Sequence, residues 1–313
     1  MARYVLKRLL YVIPTLLLIS LVSFAIIQLP PGDFLSSYVA NLSAQGDQVD
    51  PAMIEGLRQR YGLDDPFLVQ YWTWISGILF AGDFGFSLEW QMPVWDLVWE
   101  RLPLTIAIAG ASTVLVWLIS LPIGVYSAVR QYSIGDYVAT TVGFLGLATP
   151  NFLLALVMMW LGFTWFGMSV SQVNPGTLLI AMVVLGTAGT ASLIRILRAN
   201  LLDELKKPYV VAARAQGLSE GKLLVKYPLR VALNPFFSTI GWLLPSLIGG
   251  EVIVSTVLNI NTTGPLMLNA LLSQDMYLAG SIIMILGVLT VIGTFVSDLA
   301  LAWLDPRVRL GFS

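Results

Sequence analysis

The sequence predicts an all-α, polytopic membrane protein that crosses a lipid bilayer six times with both termini on the same side. Three observations predict it. Of its 313 residues 57% are hydrophobic and only 11% charged, with a mean hydropathy of +0.81, whereas soluble domains carry about 25% charged residues. Six apolar runs are each long enough to cross, which takes about 20 residues at ~1.5 Å rise apiece. The cations gather on alternate connections between those runs, the bias that orients membrane helices.

The first run, Leu9 to Leu29, is too long for a signal peptide's apolar core and lacks a small-x-small cleavage site, so it reads as a retained helix. A loop from Pro30 to Pro103 follows. Within it "DPAMIEGLRQRYGL" reads as a short helix with Asp50 as N-cap, Pro51 at the first position and Gly62 closing it. Further on, Tyr71, Trp72, Trp74, Phe80, Phe84, Phe86, Trp90, Trp95 and Trp99 suit short helices at the membrane interface, where amphipathic rings are favoured. The same surface could dock an external protein.

Leu104 to Val129 is the second run. The third, Val138 to Phe166, contains "GLATPN", where Pro150 removes a backbone donor and predicts a kink within one span. Leu178 to Leu197, Phe236 to Leu258 and Leu278 to Leu304 complete the set. With the N-terminus inside, 14 of the 17 Lys and Arg fall on cytoplasmic segments and only Arg58, Arg60 and Arg101 outside. Both termini are therefore expected in the cytoplasm, N-in and C-in.

No cysteine and no histidine occur, which removes disulfides, thiolates, imidazole bases and the usual soft metal ligands. Carboxylates remain. Glu251 lies inside the fifth run, where a charge is costly in lipid and by default faces a cavity or a partner; it could equally pair for structure alone. Asp298 reads as an interfacial residue about 47 positions away, on the opposite leaflet, so the two form no catalytic dyad and the chain is not expected to be an enzyme. Thr149, Pro150 and Asn151, "GTAGTAS" from Gly186 to Ser192, and "PSLIGGEVIVST" interrupt the apolar runs. Such residues mark either a translocation path or close helix packing.

One polar insert stands out: "YVVAARAQGLSEGKLLVKYPLR", residues 209 to 230, on the cytoplasmic side. Pro208 can start a first helix, Gly217 can end it in a left-handed turn, and Ser219 can cap a second with Glu220 in its first turn. Ala212, Ala213 and Ala215 offer a smooth face to a partner's groove. Lys206, Lys207, Arg214, Lys222, Lys226 and Arg230 would suit anionic lipid. A phosphate loop is excluded, because "GLSEGKL" has three residues between its glycines and Leu223 where a hydroxyl is needed. The ordered pattern favours an element that passes force from a soluble motor to the flanking spans.

At these residues the sequence resembles ABC-importer permeases of the dipeptide, oligopeptide and nickel family. "YVVAARAQGLSEGKLLVKYPLRVALNPF" is similar to their EAA loop, and "RYVLKRLLYVIPTLLLISLVSFAIIQLPPGD", "RQRYGLDDPFLVQYWTWI" and "DLALAWLDPRVRLG" extend the resemblance over nearly the whole chain. Val211 departs from the family's Glu, and Tyr227 from a frequent His. The resemblance implies a MetI-like ABC permease bundle with an extra N-terminal helix. Residues 1–102 would hold that helix and a large periplasmic loop, and 103–313 a five-helix core with its coupling loop at 199–234. Tyr209, Ala212, Ala213, Arg214, Gly217, Leu218 and Ser219 would form the coupling site, and Thr149, Pro150, Asn151 and Glu251 the translocation path.

The partners implied are a second homologous permease, two cytoplasmic ATPase subunits, a periplasmic or extracellular solute-binding protein and the lipid bilayer, with no nucleic acid. ATP and Mg belong to the ATPases; this chain is expected to hold no cofactor or metal. Its place would be a bacterial or archaeal plasma membrane. Peptide is the expected cargo. Oligosaccharide is the alternative, since "GMSVSQVNPGT", "LIRILRANLLDEL" and "LLSQDMYLAG" are similar to members grouped with sugar systems; nickel is set aside for want of His and Cys ligands. A stand-alone secondary transporter and a membrane scaffold are the readings from other classes.

Overall fold

The computed structural model describes residues 2–28, 35, 39, 51–60, 62, 64–168, 173–234, 236 and 249–304. The expected Asp50 cap, most of the Phe236 to Leu258 run and the Arg307 and Arg309 tail fall outside them. The described chain is helical apart from one small hairpin. In order come α1 (Ala2–Gln28), α2 (Pro51–Arg60) and α3 (Phe67–Ser76), which runs into a π-helical turn (Gly77–Ala81). Strands β1 (Phe86–Ser87) and β2 (Met92–Pro93) pair antiparallel, too short to be read from sequence alternation. Then follow α4 (Val94–Val129), α5 (Ile134–Ala148), α6 (Asn151–Phe166) and α7 (Pro175–Leu205). Three short helices come next, α8 (Pro208–Ala215), α9 (Glu220–Lys226) and α10 (Pro228–Ala232), then α11 (249–257), α12 (Thr263–Leu272) and α13 (Met276–Leu304).

Among the described residues α4, α7 and α13 are each long and apolar enough to cross a membrane. The α5 and α6 pair passes the same test only when taken together, bent by 108°. The kink expected at Pro150 is thus a break, and two backbone effects make it. Proline excludes its predecessor from helical geometry, and Thr149 is extended at φ −86° and ψ 122°. Its amide and hydroxyl both turn back to the Leu145 carbonyl, at 3.0 and 2.8 Å. Helix α4 begins ten residues before the apolar run predicted, because its first turns are amphipathic: Val94, Leu97 and Val98 are buried while Trp95, Asp96, Trp99 and Glu100 are exposed.

The chain forms two compact units: Met1–Leu6 with Thr105–Ile260 and Thr290–Ser313, and Lys7–Leu104 with Asn261–Leu289. Helix α7 is the centre of the first. It opens with a capping box, the Asn174 side chain accepting from the Thr177 amide and Thr177 reciprocating, with Pro175 at the first position. Val184, Leu193, Leu197 and Leu201 are fully buried along it. Helix α5 runs antiparallel to it, close enough that a Cβ on Gly146 would lie 2.6 Å from the Thr187 methyl. Near one end the Asp136 carboxylate accepts from Arg198 Nε at 2.9 Å and Nη2 at 2.8 Å.

In the second unit Phe24 stacks on Trp74 with centroids 5.5 Å apart and meets Phe67 and Tyr71, so part of the aromatic set expected at the interface is core instead. Trp72 and Phe80 remain exposed. The unit is fastened by the buried Asp275, which accepts from Ser87 Oγ at 2.6 Å and from the amides of Glu89 and Leu278 at 3.2 Å each. Arg101, also buried, donates to the Leu97 carbonyl and Asn261 Oδ1 and lies over the Trp90 ring.

Burial pushes the Asp275 carboxyl above its ordinary value of 3.8, against the pull of the Ser87 and amide donors. The folded form then keeps its proton to higher pH than the unfolded chain, so this group's effect on stability grows less favourable as pH rises from 3.8 through the raised value. Asp275→Asn should flatten that slope in the melting temperature of the detergent-solubilised protein. Asp275→Ala, which strands three donors, should cost about 2 kcal/mol; an unchanged melting temperature would count against the node.

Candidate functional site

The polar insert folds as a hook. Lys207 is extended, Pro208 opens α8, and Gly217 takes φ +82°, the left-handed turn that only glycine adopts without strain. Ser219 stands before α9 with extended backbone, but its side chain makes no capping bond, contrary to expectation. A third helix, α10, follows the two predicted; Pro228 was its signal, since a proline can begin a helix as readily as end one.

The interior of the hook is a small apolar cluster. Val210, Ala213 and Leu223 are buried, with Leu218 and Tyr227 packed against them. Ala213 therefore faces inward, which corrects its placing on the partner face. The outward stripe of α8 consists of Pro208, Val211, Ala212 and Ala215, all exposed and spaced at one helical period. Of the two departures from the family pattern, Val211 lies on this stripe, while Tyr227 is half-buried inside.

Two polar links brace the hook. Arg214 spans the elbow to Glu220, Nε to Oε1 at 2.6 Å and Nη2 to Oε2 at 3.1 Å, and its guanidinium holds that carboxyl below its ordinary range. Tyr209 donates to Glu204 near the end of α7, and burial together with that carboxylate pushes its phenol up to about 12. The hook's first helix is so tied to the long span before it. On the other side of α9, Leu218, Gly221, Lys222, Val225, Lys226 and Arg230 line a cleft of about 540 Å³, a grouping that sequence order did not reveal.

The residues expected on a path converge only in part. A Cβ on Gly250 would lie 3.3 Å from Asn151 Nδ2 and 3.5 Å from Leu185 Cδ2, so the start of α6 and helix α11 meet beside α7. The neighbouring Glu251 is 1% exposed and accepts from Ser255 Oγ one turn along. Thr149 is committed to Leu145, and Pro150 is exposed at the break. Gly186, Gly189 and Ala191 are buried where α7 packs on its neighbours, which is the packing reading of "GTAGTAS".

Comparison with known proteins places this geometry. Residues 120–310 match the family described as binding-protein-dependent transport system inner membrane component, and residues 1–109 match its N-terminal counterpart. The chain is 36% identical over 322 residues to the oligopeptide transport system permease protein AppB of Bacillus subtilis, covering 99% of this chain and 100% of that one. It is 31% identical to a putative peptide permease protein of Brucella ovis, with 99% and 100% covered. The nickel import system permease protein NikB of Staphylococcus aureus is 28% identical, with 98% and 92% covered. Among solved structures, a chain of the MetNI methionine ABC transporter in an inward-facing conformation shares the fold at TM-score 0.57 and 18% identity, covering 67% of this chain and 96% of that one.

Burial of Leu223, rather than the exposed Arg214 ion pair, should hold the hook together, since surface pairs contribute little and a buried leucine much. Leu223→Ala should destabilise it by about 2–4 kcal/mol and expose residues 214–222 to protease in membrane vesicles, whereas Arg214→Gln should leave cleavage near the wild-type rate. The opposite ranking would refute it.

Proposed function

The chain belongs to the family of binding-protein-dependent transport system inner membrane components, the membrane permeases of ABC importers, and from that premise we propose that its cargo is a di- or oligopeptide. The observation that carries the cargo is its likeness to the oligopeptide permease of Bacillus subtilis, 36% identical over 99% of this chain. Peptide ranks above nickel on the same measure, 36% and 31% against 28%. None of the relatives named above is an oligosaccharide permease.

As the membrane subunit it is not itself an enzyme. The partners are a second homologous permease, two cytoplasmic ATPases that bind ATP and Mg, and an external solute-binding protein. The hook is the coupling site. Its outward stripe of Pro208, Val211, Ala212 and Ala215 is small and apolar enough to seat in a groove of an ATPase subunit. Tyr209, Arg214, Gly217, Leu218 and Ser219 shape and brace it. Because α7 is a single helix of 31 residues linked to the hook through Tyr209 and Glu204, a displacement of the hook is carried into the membrane as a rigid movement. Closing of the ATPases would draw two such hooks together and open the bundle outward; hydrolysis would restore the inward state. Asn151 and Glu251 are the path residues that this movement would expose in turn, with Thr149 and Pro150 supplying the break.

In this reading both termini and the hook are cytoplasmic, in the plasma membrane of a bacterium or archaeon. The absence of native cysteine makes the topology directly testable. A cysteine at Gln216 should react with an impermeant maleimide only in inverted vesicles, and one at Phe80 only from the outer face; the reverse pattern would sink the orientation. Coupling is tested by Gly217→Pro in the complete importer in vesicles. Proline cannot take φ +82°, so ATP-driven peptide uptake should fall at least tenfold with membrane insertion intact. Normal uptake would refute the coupling role.

A further inference from the structure

Within the first unit a groove of about 540 Å³ runs between α4, α5 and α7. Its walls are aliphatic side chains such as Ile119, Val138 and Val142, and Thr187, one of the few polar residues along it, commits its hydroxyl to the Val183 carbonyl at 2.7 Å. On α7 the lining begins at Val183 and ends at Ile194, about 16 Å of helical rise. One leaflet of a bilayer is about 15 Å deep, half of a ~30 Å hydrocarbon core. On α4 the lining begins at Leu115, near the middle of the apolar run from Leu104 to Val129, and finishes at Tyr126, toward the end that faces the cytoplasm in the orientation proposed above. The groove is therefore one leaflet deep, and the leaflet is the inner one.

Its cytoplasmic mouth has the chemistry of a membrane interface. The Tyr126 ring closes that end by lying against the bare backbone of Gly135, where a Cβ would come within 2.6 Å of Tyr126 Cε1. Tyr132 in the connecting turn and Tyr137 in the first turn of α5 are both exposed, and such amphipathic rings settle at headgroup level. Arg130 lies one turn beyond Tyr126 on the same side of the helix, its amide donating to the Tyr126 carbonyl at 2.8 Å. It is exposed, and among the described residues no carboxylate is paired with it. Asp136, the acidic residue nearest to it in sequence, has both oxygens on Arg198 and accepts from the Tyr132 amide as well. A cation without a counter-ion thus stands at the water end of an apolar slot.

We propose that this groove holds one acyl chain of an anionic phospholipid of the inner leaflet, with the lipid's phosphate on Arg130. The chain matches the slot in length and polarity, and the headgroup supplies the negative charge that the Arg130 guanidinium binds through its forked donors. A transmembrane helix of the second permease matches it less well, because it would run the full ~30 Å of the hydrocarbon core whereas the groove stops near the middle. The site itself stands on the geometry of α4, α5 and α7; its assignment to the inner leaflet rests on the orientation of the preceding subsection.

The test mixes the complete importer in detergent with phosphatidylglycerol or phosphatidylcholine carrying a photoreactive diazirine on one acyl chain, and locates the attachment by peptide mass spectrometry. Attachment should concentrate on residues 115–126, 135–143 and 183–194, with the anionic lipid favoured. Arg130→Gln should lower that preference about fivefold. Ala139→Trp, which fills the groove from α5, should cut attachment there by either lipid at least tenfold. Attachment spread evenly over the exposed faces of α4, α5 and α6, or a preference unchanged by Arg130→Gln, overturns the proposal, and neither readout needs the tryptophan variant to fold. No attachment in the wild-type groove, together with loss of the second permease from the purified Ala139→Trp complex, would also overturn it and give the groove to a protein interface. The maleimide labelling described above reports on the leaflet separately, so a reversed orientation is told apart from a groove that binds no lipid.

Discussion

In lipid every backbone amide must find its partner within the chain, and this constraint shapes most of the molecule. It makes the apolar runs helical and the described structure almost wholly so. It also bears on the sharp break found among the described residues between α5 and α6. Where Pro150 removes a donor and forces Thr149 out of helical geometry, the helix closes on the Leu145 carbonyl, which accepts from both the Thr149 amide and its hydroxyl.

Charge obeys the complementary rule, gathering at helix ends and in pairs. Asp136 and Arg198 join α5 to α7 near their ends. Asp275, at the start of α13, collects a hydroxyl and two amides from a hairpin and its own helix. Arg101 is satisfied by a carbonyl, an asparagine and an indole face. Glu251 lies deep in an apolar segment and is held by Ser255 one turn along.

The hook shows the same economy at smaller scale. With Val210, Ala213 and Leu223 as its buried cluster and Pro228 and Ala232 buried in α10, it has too little apolar surface to fold alone, and it depends on its seat at the end of α7. The links through Tyr209 and Glu204 and through Arg214 and Glu220 fix its angles more than they add stability, because exposed pairs are screened by water. What it presents outward is a bare stripe of small and apolar residues, the kind of surface that gains by entering a groove.

By itself the sequence determined the solvent, the helical class, the apolar runs and the hook's turn at Gly217, because each rests on local composition or on the backbone limits of a single residue type. The family was legible for the same reason, through contiguous stretches such as "YVVAARAQGLSEGKLL". Only the tertiary structure decided which side of each helix is covered. Ala213 and Tyr227 turn inward while Val211 turns out, Trp74 joins a core while Trp72 does not, and Asp275 finds Ser87 188 residues away. Those outcomes depend on neighbours distant in the chain, and on burial that no local window contains. The amphipathic opening of α4 and the pairing of Asp136 with Arg198 escaped sequence reading on the same ground: a charge or an indole that lowers the local apolar average gains its place from a contact made elsewhere.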